Sequence, residues 1–260
     1  MVSQPDNASS AFAPETPAPA RIYDYLLRGK DNYPADREAA KRAVAAIPDL
    51  PVLAQANRQF LTRTVQAAAS AGITQFLDLG SGLPTTPNVH ETAQEIQPDA
   101  TVVYVDNDPV VLAHSRADRF APGSCVVGAD IRSPEAVLEA VRDEIDFSRP
   151  VAVLMIAVLH FVGGDIRSLV ETYKRPAAPG SWLAISHAAS DGADPAEVAK
   201  VAAVYGQGPA DPQARTTAQI EALFDGWTLT APGLVDVREW AGLPAGPVRL
   251  RMPAGVAVKP

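Results

Sequence analysis

Two periodicities of apolar residues alternate along this chain. Predominantly apolar runs of strand length occur at 76–79, 101–106, 125–127, 151–159 and 182–186, two of them ending in or carrying an acid, as strands of a parallel sheet do. Between and beyond them the apolar positions recur every three or four residues, which predicts helices over 88–96, 109–116, 134–145 and 166–173. The run 151–159 is the longest of the five and is expected at the centre of the sheet. Strand and helix alternating at this spacing predict an α/β fold, a doubly wound and mostly parallel sheet with helices on both faces. Right-handed crossovers then leave few topologies.

Three helices precede the first strand. Ile22, Tyr25 and Leu26 share one face of a short helix that Gly29 is expected to close in the left-handed conformation. Ala39, Ala40, Ala43, Val44 and Ile47 line a second helix that begins at Pro34. The third, 52–71, carries an inner stripe of Leu53, Asn57, Phe60, Leu61, Thr64, Val65 and Ala68 and stops at Gly72. Asn57 is the amide on that apolar stripe, and it needs either neighbouring backbone or a ligand as partner. After 187 the pattern loosens into helices over 195–205 and 216–224, the latter with Thr217 as a cap. An antiparallel pair is expected from 227–229 and a segment within 248–258. The chain thus divides into a disordered tail over 1–20, a helical N-terminal cap over 21–72 and a ligand-binding α/β domain over 73–260.

Composition narrows the chemistry. With 260 residues, 47% hydrophobic and 20% charged, the chain is globular, and no apolar run reaches the roughly 18 residues of a membrane span. A net charge of −8 argues against nucleic acid, which requires clustered Lys and Arg, and leaves a small molecule as the expected partner. The single cysteine, Cys125, precludes an internal disulfide and a cysteine-based zinc site, so no metal is expected and a reducing cytoplasm is the expected location.

In a parallel sheet the ligand sits beyond the carboxyl ends of the strands at the switch point. Asp78, Asp106 and Asp130 each lie at such an end and are expected to converge there. Asp78 leads into the turn Gly80-Ser81-Gly82, where the backbone must bend sharply beside a ligand. An acid at the end of the second strand accepts hydrogen bonds from ribose hydroxyls; the plain structural alternative for Asp106 is a cap on the helix near Pro109. Asp130 is balanced between ligand binding and capping the turn at Ser133. A dinucleotide site expects a third glycine where Thr85 stands, and neighbouring acids repel a pyrophosphate. A sulfonium nucleoside without phosphate suits such a lining better. His160, next to the end of the fourth strand, is placed as a general base or as a satisfied structural histidine.

The segments Arg21-Ile-Tyr-Asp-Tyr-Leu-Leu, Gly29-Lys-Asp-Asn-Tyr33, Phe76-Leu-Asp-Leu-Gly-Ser-Gly-Leu-Pro84 and Tyr104-Val-Asp-Asn-Asp-Pro109, with Ala129-Asp130, resemble the bacterial S-adenosyl methyltransferase family. That family, formerly a domain of unknown function, belongs to the class I methyltransferase superfamily, and the resemblance runs from Arg21 to the C-terminus. It implies a Rossmann-like fold with an antiparallel C-terminal strand, and S-adenosylmethionine as methyl donor. By the same resemblance Gly80, Ser81 and Gly82 meet the methionine part, Asp106 with Asn107 the ribose, and Asp130 and Ile131 the adenine. Asp78 either organises the glycine turn or meets the ammonium group. Tyr23, Asp24, Lys30, Asn32 and Asn57 lie in segments that can cover the cofactor, with His160 and Tyr23 as the residues expected to do chemistry. The resulting expectation is a methyltransferase acting on a small molecule. Its rivals are a non-catalytic protein that binds the donor as a signal and an NAD-dependent oxidoreductase.

Overall fold

The computed structural model describes residues 13–118, 122–208, 210–243 and 249–260. Three helices come first: α1 (Pro19–Leu26), α2 (Pro34–Ala46) and α3 (Leu50–Ser70). The alternating body follows as β1 (Gln75–Leu79), α4 (Val89–Gln94), β2 (Thr101–Asp106), α5 (Pro109–Asp118), β3 (Ser124–Gly128), α6 (Pro134–Val141), β4 (Ala152–Ile156), α7 (Ile166–Lys174) and β5 (Trp182–Ser186). The remainder comprises α8 (Pro195–Tyr205), α9 (Thr217–Glu221), β6 (Thr228–Leu229), β7 (Val235–Asp236), α10 (Val237–Trp240) and β8 (Pro253–Val258). No described helix is long and apolar enough to cross a membrane.

The strands form one sheet in the order β3-β2-β1-β4-β5-β8-β6, with β7 also paired to β8. Strands β1 to β5 run parallel, and β8 returns antiparallel to β5 with Ala184 opposite Val256. The switch point lies between β1 and β4, where the chain direction of winding reverses. Successive strand residues face opposite sides. Phe76, Tyr104 and Leu154 therefore pack with Ile22, Ala39 and Phe60 of the N-terminal helices, while Leu77, Val103 and Val153 pack with Val137 of α6 and Val170 of α7. The same alternation decides where the acids go. Asp78, two residues after Phe76, and Asp106, two after Tyr104, fall on the face that the N-terminal helices cover.

Several expected boundaries shift for local reasons. The apolar run 151–159 does not stay extended: β4 ends at Ile156, and Leu159–Phe161 form a 3-10 turn. The break is at Ala157, whose φ is 53° and whose N–H donates to the Ser186 hydroxyl at 2.9 Å. The first helix is closed by Arg28 in the left-handed region at φ 65°, not by Gly29. Gly29 serves space instead, because a Cβ there would lie 1.9 Å from the Asp24 Oδ1 atom. The cap of α9 is Thr216, whose hydroxyl accepts from the Gln219 N–H at 3.2 Å, so Thr217 is already helical. Helix α6 ends at Val141, although Ile145 is buried as expected. Of the expected tail, 1–12 lie outside the described residues, but its remainder belongs to the fold. Pro19 starts α1, the Ala18 N–H donates to Asp36 Oδ1 at 3.0 Å, and Arg21 Nη2 donates to the Thr16 carbonyl at 2.5 Å. The C-terminal pair forms as β6 and β8; residue 248 of the expected second segment lies outside the described residues.

Candidate functional site

A cavity of about 420 Å³ opens at the carboxyl ends of β1, β2 and β4, under α1 and α3. Its size suits a nucleoside-scale ligand. The glycine turn forms its floor. Gly80 N–H and Ser81 N–H both donate to the Val105 carbonyl, at 2.8 and 3.1 Å, and Gly82 N–H donates to Asp106 Oδ2 at 2.9 Å. Gly80 adopts φ +72°, and a Cβ there would lie 2.3 Å from Val158 Cγ2. Glycine is therefore required twice over at that position, by conformation and by space.

Asp106 holds this turn in place. Its other oxygen accepts from the Asp108 N–H at 3.0 Å, and Asp108 in turn caps α5 through the Val110 N–H at 2.8 Å. The helix cap that was the structural alternative for Asp106 is thus supplied by Asp108. Burial pushes the Asp106 carboxyl above its ordinary range, against the amide donors of Asp108, Gly82 and Asn107. Three N–H donors occupy three of the carboxylate's roughly four lone-pair sites and leave one for a ligand hydroxyl. Across the cavity, Asp130 is gripped by Arg132 through contacts of 2.5 to 2.9 Å, and that hydrogen bonding holds its carboxyl below the usual range. Asn107 and Ile131 also line the cavity.

The N-terminal helices supply the roof. The Tyr23 hydroxyl donates to the Ala54 carbonyl at 3.0 Å and accepts from Asn57 Nδ2 at 2.9 Å; burial raises its pKa. Asp24 Oδ2 accepts from the Asp31 N–H at 3.0 Å and Asn32 Nδ2 at 2.7 Å, and burial raises the Asp24 carboxyl. Of the residues expected in the cap, Tyr23, Asp24 and Asn57 line the cavity. Asn32 is buried behind Asp24 and positions it, while Lys30 is exposed and is not among the lining residues. His160 does not join this set either. It belongs to the 3-10 turn and lines a neighbouring cavity, in a cluster where burial, His187 and Arg215 keep its ring well below the ordinary histidine range.

Sequence reading missed three arginines. Arg21, Arg58 and Arg132 share the cavity with Asp24, Asp78, Asp106, Asp108 and Asp130, so its lining is mixed in charge, not purely acidic. Arg21 pairs with Asp36 at 2.8 Å. Arg58 Nη2 donates to the carbonyls of Thr85 and Pro87, and burial lowers its pKa. The available signal was position: Arg58 follows Asn57 at the edge of the α3 stripe.

Two buried polar atoms in this roof have no protein partner, the acceptor Asn57 Oδ1 and the donor Arg58 Nε. Buried polar groups are ordinarily satisfied. One unpartnered acceptor and one unpartnered donor on consecutive residues of α3, in a lining that also holds Asp106 and Ile131, fit S-adenosylmethionine, whose ammonium and carboxylate need one of each. A pyrophosphate fits poorly. Asn88 and Glu91 form a capping box at the start of α4, and the Thr85 N–H already donates to Asn88 Oδ1 at 3.2 Å, which consumes donors that a dinucleotide needs.

Strand order, antiparallel final strand and nucleoside cavity together define a class I methyltransferase fold. Residues 5–260 match the S-adenosyl methyltransferase family, and the chain belongs to it. It is 40% identical to the DUF574 family protein of Streptomyces avermitilis MA-4680, whose structure superposes with a TM-score of 0.88 over 95% of this chain and 98% of that one. It is 43% identical to a protein of Thermobifida fusca YX provisionally named a methyltransferase, with a TM-score of 0.86 over 94% and 96% of the two chains. A Mycobacterium marinum protein, provisionally named an S-adenosyl-L-methionine-dependent methyltransferase, is 30% identical over 78% of this chain. The chain spans 63% of the length of that relative. The family's cofactor is S-adenosyl-L-methionine.

Proposed function

We propose that this protein transfers a methyl group from S-adenosylmethionine to a small-molecule acceptor, in a reducing bacterial cytoplasm. The observation that carries this reading is Asp106, a carboxylate that locks the glycine turn at 2.9 Å and lines the same cavity as Asn57 and Arg58, whose Oδ1 and Nε have no protein partner. Residues 21–72 act as the cap and 73–260 as the donor-binding domain. When bound, the donor would supply a sulfonium methyl group; its passage to a nucleophilic acceptor atom would leave a neutral thioether, with any proton on that atom released to solvent. The chain's own work is alignment and exclusion of water. Asn57 and Arg58 fix one end of the ligand, Asp106 the ribose, and Asp130 with Ile131 the base. Tyr23, held by Ala54 and Asn57, keeps the roof in register, and its raised pKa makes it a neutral hydroxyl, not a base, at physiological pH. A net charge of −8 supports a small-molecule partner over nucleic acid.

Isothermal titration with S-adenosylmethionine and S-adenosylhomocysteine tests the reading. Binding is expected to both, and failure to bind either overturns it. Replacing Asp106 with Ala is expected to weaken both.

A second reading, a non-catalytic protein that binds the donor as a signal, is favoured by one feature. Among the described residues, no histidine, cysteine or lysine lines the donor cavity. Incorporation of labelled methyl groups into any component of a cell extract dismisses this alternative.

A further inference from the structure

A second cavity, of about 100 Å³, adjoins the first and shares a wall with it built by Pro19, Tyr23, Ala157 and Phe161. The two differ sharply in chemistry. Acids and arginines line the donor cavity, whereas no Asp, Glu, Lys or Arg lines the second among the described residues. Its walls are aliphatic, with Leu53, Val198 and Met252 among them, and aromatic. Phe161 lies 4.9 Å from the ring of Tyr205 and 4.3 Å from that of His160, centroid to centroid. A charged ligand entering here would lose its hydration without a counter-charge. The donor, with ammonium, carboxylate and sulfonium, is excluded on that ground.

His160 is the polar group in this wall whose protonation can be assigned. Its Nδ1 accepts from the Ala188 N–H at 3.4 Å. With that lone pair directed to backbone, the ring proton sits on Nε2, and a neutral histidine of this tautomer is a donor through Nε2. The neighbouring His187 is fully committed elsewhere, with Nδ1 at 2.7 Å from the Ala188 carbonyl and Nε2 at 3.1 Å from Arg215 Nη1.

We propose that this second cavity receives the apolar ring of an uncharged methyl acceptor, with His160 orienting a ligand oxygen or nitrogen through its Nε2–H. The inference rests on the methyl-transfer reading and names the acceptor class for it. An apolar cavity of about 150 Å³ accommodates benzene. The space here, about 100 Å³, is smaller but opens to its surroundings, so a single ring enters it in part, with the reacting atom toward the wall shared with the donor. His160 acts as a positioning residue, because the lone pair a base would use is already taken.

Full-length protein with four single-ring probes, phenol, toluene, benzoate and benzylamine, tests this, with binding read by ligand-observed NMR in the presence of saturating S-adenosylhomocysteine. Phenol is expected to bind at least tenfold more tightly than either charged ring. Ala202→Phe and, one turn earlier on α8, Val198→Phe fill the cavity from a helix that contributes nothing to the donor site. Each is expected to weaken phenol at least tenfold while leaving S-adenosylhomocysteine affinity within twofold, which also reports folding. His160→Leu is expected to weaken phenol about fivefold and to leave toluene unchanged. Phenol that fails to bind, that S-adenosylhomocysteine displaces, or that binds both filled variants like the parent overturns the assignment, as does benzoate equal to phenol. If the phenol pattern appears without S-adenosylhomocysteine binding, the methyl-transfer reading falls and the cavity stands.

Discussion

Gly80→Ala tests how the glycine turn is held. Two costs are separable in the structure. The residue sits at φ +72°, where a side chain costs about 1–2 kcal/mol relative to glycine. The added methyl would also lie 2.3 Å from Val158 Cγ2 and 2.9 Å from Val158 Cβ, a clash that something must move to relieve, at about 1–3 kcal/mol by analogy with overpacked cores. The sum is about 2–5 kcal/mol, a large part of an ordinary domain's stability. Gly82 is the internal control: its φ is +62°, but a Cβ there meets nothing within 4 Å. Gly82→Ala should therefore show the conformational cost alone, about 1–2 kcal/mol. Urea unfolding of both variants measures the difference. Val158→Ala in the Gly80→Ala background should restore part of the excess, because it removes the Cγ2 contact at 2.3 Å and leaves the Cβ contact at 2.9 Å, and the effects of touching positions are coupled. Equal losses at positions 80 and 82, or no relief from Val158→Ala, would refute the assignment of the excess to that contact.

Other expectations follow from the same geometry. Asp106→Ala removes the acceptor of the Gly82 and Asp108 N–H groups and should weaken S-adenosylhomocysteine by about ten- to a hundredfold in titration calorimetry, the worth of one charge-assisted bond. Arg58→Met should weaken S-adenosylmethionine by a similar factor yet leave its decarboxylated analogue nearly unaffected; an equal loss for both would remove Arg58 from the carboxylate. His187 is held at about 4, chiefly by burial, and His160 is shifted the same way. A depressed folded pKa contributes stability that is present above pH 6.5 and lost as pH falls toward 4, about 3 kcal/mol for His187. Asp24 and Asp106, pushed up by burial, act in the opposite sense. His187→Gln should therefore flatten the fall in unfolding midpoint between pH 6.5 and 4, and an unchanged slope would show that His187 is not its source.

The local sequence settled what local physics controls. Consecutive apolar runs set five parallel strands, and the stripe from Leu53 to Ala68 set the buried face of α3, because burial on both faces of a sheet or one face of a helix is written as a period. Period-two alternation also carried the acids: once Phe76 and Tyr104 face the N-terminal helices, Asp78 and Asp106 must follow. Tertiary structure decided the rest. The run 151–159 gives no sign that Ala157 turns it out of the sheet, since the partner that breaks it, Ser186, is nearly thirty residues away. Position 29 is a glycine for space, since the Asp24 carboxylate occupies the place its Cβ would need, and the left-handed residue is its neighbour Arg28. Arg58 reads as an ordinary helix-surface cation until α3 is laid over the loop of Thr85 and Pro87. His160 stands one residue after a strand-like run, yet the 3-10 turn carries it away from the donor cavity and into the apolar one. Strand ends, glycines and acids are local in sequence, and their meeting in the larger cavity was therefore legible. The smaller, apolar cavity is assembled from α1, α3, α8 and the 157–161 turn, elements that meet only through packing, and no linear pattern marks that meeting.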